Sequence, residues 1–83
     1  MSKKITIYAT TTCGYCKMLK SYLQSKKIDF EEKLADQNPQ YAQELMQQSN
    51  QLGVPFTIID DGDKKVGILG FDKSQIDKVL GLS

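Results

Sequence analysis

Both cysteines of the chain stand in one stretch, Thr11-Thr12-Cys13-Gly14-Tyr15-Cys16-Lys17, only three residues apart. Before it, Ile5 and Ile7 alternate with Thr6 and Tyr8, the pattern of a short β-branched strand. After it, Cys16, Leu19, Tyr22 and Leu23 recur at helical spacing with Met18 on the flank, and this helix is expected to run to about Ser25. Two thiols at i and i+3 where a helix begins fall inside the Cα separation of about 4.4–6.8 Å that a disulfide spans. The fold is therefore required to join a strand end to a helix start at this point. Cys13 would face the unpaired N–H groups and partial positive charge of the helix N-terminus, which favour a thiolate, while Cys16 points back into the first turn. Thr11 or Thr12 is the expected N-cap. Thr12, together with Lys17 in the first helical turn, is expected to help hold Cys13 ionised.

Downstream, Ile28-Asp29-Phe30-Glu31 alternates again and predicts a second strand, parallel to the first because a helix crosses between them. Asn38-Pro39 is a helix start, followed by Tyr41, Ala42, Leu45 and Met46 on one face, glutamines on the other, and a stop near Gly53. Val54-Pro55 opens Phe56-Thr57-Ile58-Ile59, and Asp60-Asp61-Gly62-Asp63 turns the chain into Lys65-Val66-Gly67-Ile68-Leu69, an antiparallel hairpin. Asp72 and Gln75 have capping-box spacing ahead of Ile76, Val79 and Leu80, with Gly81 as the stop.

A length of 83 residues suits one domain, expected over 1–83, that buries only about 60% of its unfolded surface. A formal net charge of +1 favours neither nucleic acid nor a membrane surface as partner. No window approaches the roughly 20 apolar residues of a membrane span, and the run after Met1-Ser2-Lys3-Lys4 is too short for a signal-peptide core, so a cytoplasmic location is expected. In that reducing compartment a close cysteine pair points to catalysis or metal binding before a structural staple. A closed zinc site would need carboxylates for its remaining protein ligands, since the chain has no His and only these two Cys.

The order β-α-β-α-β-β-α, with Cys13-Gly14-Tyr15-Cys16 at the first helix, Val54-Pro55 at the third strand and Gly70-Phe71-Asp72 before the last helix, resembles the glutaredoxins over essentially the whole chain. The resemblance implies an α/β thioredoxin fold, a four-stranded mixed sheet flanked by three helices, acting as a monomer. It implies a glutathione-dependent thiol-disulfide oxidoreductase in which Cys13 attacks a disulfide and Cys16 resolves the product. Glutathione would be the co-substrate with no tightly bound cofactor, and the protein partners would be disulfide-containing or glutathionylated chains. Pro55 would be cis and face the cysteines, the Val54 backbone would pair with the cysteinyl part of glutathione, Gly70, Phe71 and Asp72 would hold its γ-glutamyl end, and Tyr15 would wall the groove.

The chain also departs from the usual pattern. Gly14 stands where Pro is common, a feature of members that bind a [2Fe–2S] cluster through the first cysteine, here Cys13; the resident metal expected otherwise is none. Thr10 replaces a lysine three residues before the first Cys, and Leu69 replaces the first Gly of a Gly-Gly pair. Both depart from a glutathione groove, and the Gly70-Phe71 pairing is similar to the redoxins that reduce ribonucleotide reductase and take electrons from thioredoxin reductase.

Overall fold

The computed structural model describes residues 3–81. Its elements follow the expected order: β1 (Lys4–Ala9), α1 (Gly14–Ser25), β2 (Glu31–Leu34), α2 (Pro39–Ser49), β3 (Phe56–Asp60), β4 (Lys65–Leu69) and α3 (Lys73–Leu80). The strands form one mixed sheet in the order β2-β1-β3-β4. β1 and β2 are parallel, as the α1 crossover requires, while β1 with β3 and β3 with β4 are antiparallel.

The pleat of β1 divides the core between two faces. Ile5, Ile7 and Ala9 point to one face, where they meet Cys16, Leu19 and Leu23 of α1, Ile59 and Ile68 of the hairpin, and Ile76 of α3. Tyr8 points to the other, where it packs with Leu45 of α2 and Phe56 of β3 in a much smaller cluster. That second face is completed by polar contacts. The Tyr8 hydroxyl donates to Glu44 Oε1 at 2.9 Å, and Lys33 Nζ reaches the same oxygen at 2.9 Å. These two bonds join β1 and β2 to α2.

Three boundaries differ from expectation. β2 lies at Glu31–Leu34, three residues beyond the predicted Ile28–Glu31. Ile28 and Phe30 are apolar because they pack, partly buried, against the larger cluster below the strand, and the ladder to β1 begins only at Thr6 with Glu31. α2 stops at Asn50, which takes the left-handed conformation (φ 61) that ends a helix, and Gly53 is not needed for it. The N-cap of α1 is Cys13 itself, with extended backbone (φ −84, ψ 114), displacing the threonines from that role. Thr11 is held elsewhere: its N–H and hydroxyl both donate to Asp36 Oδ2, at 3.1 and 2.6 Å.

The remaining caps follow the sequence. Asn38 Oδ1 accepts from Gln40 N–H at 2.9 Å with Pro39 in the first turn, and Asp72 Oδ1 accepts from Gln75 N–H at 3.2 Å. No described helix is long and apolar enough to cross a membrane.

Candidate active site

The C-terminal end of β1 and the N-terminus of α1 deliver the two thiols to one edge of the sheet. Both are free, Cys13 partly buried and Cys16 fully so. As the N-cap, Cys13 presents its Sγ to the Cys16 N–H at 3.1 Å, a position usually taken by a Ser or Asp oxygen. Negative charge on this sulfur therefore meets a backbone donor and the positive end of a helix. Thr12 and Lys17, the side chains expected to supply that support, are both exposed, and among the described residues neither donates a hydrogen bond to the sulfur.

Cys16 is the opposite case. Only 1% exposed among Ile7, Leu19 and Ile68, its thiol is pushed up to about 12, first by burial and then by the hydrogen bond with Cys13. A backbone hydrogen bond with Thr10 and the charge of Lys20 oppose the rise. The folded chain thus keeps this proton where an unfolded thiol, near 9, releases it. Its contribution to stability is fully present below pH 9 and is lost as pH rises towards 12, at up to about 1.4 kcal/mol per pH unit. Urea titrations of the reduced protein are expected to show the wild type losing stability more steeply above pH 9 than Cys16→Ala. Parallel curves would contradict the assignment.

The other predicted site residues lie on two loops beside the thiols. Val54-Pro55 is a cis peptide bond, and Pro55 is buried. The Pro55 carbonyl accepts from Gly70 N–H at 2.7 Å, a bond made possible by the turn at Gly70, whose φ of 79 suits a residue without a side chain. Cys13, Val54 and Phe71 each pack, partly buried, against the same core cluster, and the register that aligns Tyr8, Phe56 and Leu69 brings the segments following β1, preceding β3 and following β4 to one end of the sheet. The Val54 backbone N–H and C=O make no hydrogen bond among the described residues. Asp72 follows directly, one carboxylate oxygen used for capping α3 and the other available. Tyr15 is 66% exposed and Met18 51%, and with Gly14 they form a shallow, open apolar hollow on the rim next to Cys13.

The structure adds supporting residues that sequence reasoning missed. Tyr22 of α1 donates its hydroxyl to Asp77 of α3 and packs its ring against Phe71, tilted by 55° at 5.9 Å between centroids, which ties the thiol-bearing helix to the Gly70-Phe71-Asp72 loop. Asp36 ties down the loop that leads to Cys13. Both are contacts between residues 25 or more positions apart, for which a single sequence carries no signal. Among the described residues no group of three or more His, Cys, Asp or Glu is arranged to hold a metal ion.

Comparison with known proteins identifies the relatives of the chain. The family model for glutaredoxin matches residues 5–63. A glutaredoxin-like 8.6 kDa protein of the rubredoxin operon of Clostridium pasteurianum is 41% identical over 76 residues, covering 92% of this chain and 96% of the relative. Glutaredoxin 3 of Escherichia coli is 36% identical over 56 residues, 68% of each chain. Among solved structures, the glutaredoxin-like NrdH-redoxin of Escherichia coli, described for its thioredoxin-like activity profile, superposes with a TM-score of 0.75 at 29% identity, covering 92% of this chain and 93% of its own.

Proposed function

The chain belongs to the glutaredoxin family of thiol oxidoreductases, with their α/β thioredoxin fold, and from that premise we propose that it uses glutathione to reduce protein–glutathione mixed disulfides and protein disulfides. The observation that carries this reading is the pairing of two loops beside Cys13. One offers the unpaired Val54 backbone to an extended thiol peptide, as an added strand would use it, and the other offers the Asp72 carboxylate to an ammonium group. A peptide with a central cysteine and a free amino group at one end fits that arrangement.

The chemistry runs through Cys13. On a glutathionylated protein, the Cys13 thiolate attacks the glutathione sulfur, the protein thiolate departs and takes a proton from water, and a glutathione disulfide of Cys13 remains. A second glutathione thiolate then attacks that sulfur, which releases oxidised glutathione and restores Cys13. On a protein disulfide, Cys13 forms a mixed disulfide with one sulfur, and Cys16 displaces the substrate to leave a Cys13–Cys16 bond that two glutathiones reduce in turn. In the first route one glutathione thiol is consumed and one protein thiol released as one disulfide replaces another, and in the second two glutathione thiols are oxidised as one protein disulfide is reduced.

Asp72→Asn tests the ammonium contact while keeping a good N-cap on α3. Exchanging a charged acceptor for a neutral one is expected to raise KM for a glutathionylated peptide about tenfold with kcat nearly unchanged. A KM within about twofold of wild type would remove Asp72 from the groove.

A second reading, a redoxin for ribonucleotide reductase fed by thioredoxin reductase, is favoured by two departures from a glutathione groove. Leu69, 54% exposed, stands directly before Gly70-Phe71, and Thr10 supplies no cation at the other end. The likeness to the NrdH-redoxin, described for its thioredoxin-like activity profile, supports this alternative.

A further inference from the structure

α1 places Lys20 one helical turn beyond Cys16, at i+4, so the two side chains leave the same face with Cβ atoms about 5–6 Å apart. Lys20 is not a free surface cation. Its Nζ lies 2.6 Å from Glu32 Oε2, and the two side chains are only 28% and 26% exposed. Glu32 stands opposite Ile7 in the parallel ladder, so it emerges on the sheet face that α1 covers. Its Oε2 is buried and meets no hydrogen-bond donor in good alignment, which leaves the ammonium as its compensation. An exposed pair would contribute about 0–1 kcal/mol and call for no special account, but this one is wedged between α1 and the edge strand beside a redox thiol.

We propose that Lys20 and Glu32 set the charge balance at Cys16 during the resolving step, Lys20 stabilising the negative charge that develops on the sulfur and Glu32 holding that stabilisation in check. The proposal rests on the reading of Cys16 as the resolving thiol and is independent of which thiol occupies the mixed disulfide. In the step itself the Cys16 proton passes to water, the sulfur bonds to Cys13 Sγ, the bond from Cys13 to the substrate sulfur breaks, and the departing thiolate takes a proton from water. The groups acting on Cys16 are Cys13 across the first turn, the Thr10 backbone and Lys20, and its side chain belongs to the buried cluster that holds Ile7, Leu19 and Ile68. Lys20 is the only side-chain cation among them. The field of Lys20 also explains why an otherwise poorly hydrogen-bonded Glu32 is useful: without the carboxylate the ammonium would act on the sulfur at full strength.

The two charges make opposite predictions. A tenfold change in the thiolate fraction is offset about threefold by the accompanying change in nucleophilicity, so the net effect on rate is about threefold. In rapid mixing with the aromatic disulfide of 2-nitro-5-thiobenzoate, attack by Cys13 releases one coloured thiolate and resolution by Cys16 releases a second. Lys20→Gln is expected to slow the second phase about threefold, Glu32→Gln to speed it by a similar factor, and Lys20→Arg to restore it, with the first phase unchanged in all three. A pair that only braces the fold would move both neutral variants in the same direction. That result, or second phases all within about 1.5-fold of wild type, would overturn the proposal. Cys16→Ser separates the two levels of the argument. It should keep the first phase and lack the second, and a second phase that survived in it would overturn the role of Cys16 and the proposal with it.

Discussion

Replacing Cys13 by serine is expected to lower turnover on a glutathionylated peptide by about a thousandfold or more, the scale on which removing a nucleophile acts. Cys16→Ser should keep the same reaction within a few-fold and lose the reduction of protein disulfides. The asymmetry follows from the environments of the two sulfurs. Cys13 caps the helix, receives the Cys16 N–H at 3.1 Å and is partly open to solvent, whereas Cys16 is sealed in the core with its proton held to about 12. A substrate disulfide can reach the first and not the second. Serine at position 13 keeps the cap, since its oxygen accepts from the same N–H, so the folded state survives and the loss reads out chemistry. If Cys16→Ser were the dead variant and Cys13→Ser the live one, the assignment would be reversed.

Phe56→Ala is expected to cost about 3–5 kcal/mol in urea denaturation, a large part of the stability of so small a domain. Among the described residues the buried cluster on the α2 face of the sheet is Tyr8, Leu45 and Phe56, so this ring is a main apolar anchor for that helix and follows directly on Pro55. The ring lies across Gly67 of the edge strand. A Cβ added there would come within 2.7 Å of the Phe56 ring tip, which explains why β4 has a glycine in its middle. Gly67→Val alone is therefore expected to destabilise by about 1–3 kcal/mol through overpacking. In the Phe56→Ala background the same valine occupies vacated space and should recover part of the loss. Simple additivity of the two changes in a double-mutant cycle would show that the ring does not depend on the open glycine.

What could be read without coordinates was whatever depends on neighbours in sequence. The strand–Cys–helix junction, the Asn38-Pro39 start, the hairpin around Gly62 and the Asp72 cap each follow from residues within one turn of each other, and the structure places them as expected. β2 was misplaced because apolar alternation marks burial and not pairing. Ile28 and Phe30 fill the base of the core, whereas the edge strand that pairs with β1 is Glu31-Glu32-Lys33-Leu34, in which Glu32 and Lys33 are answered by Lys20 and Glu44 on the helices above and below. Those partners are distant in sequence. The same limit hid Asp36, whose tie to Thr11 leaves Cys13 to cap its own helix. For Lys20 there was a usable signal, a cation four residues after a helical thiol, but the carboxylate that fixes it comes from another element.

The central claim is that electrons reach the Cys13–Cys16 disulfide from glutathione. NADPH consumption coupled to reduction of a disulfide substrate tests it most directly, measured once with glutathione and glutathione reductase and once with thioredoxin reductase alone. The account predicts turnover in the first mixture that vanishes when glutathione is omitted, and little in the second. Turnover confined to the second would contradict it and assign the chain to the reductase-fed redoxins.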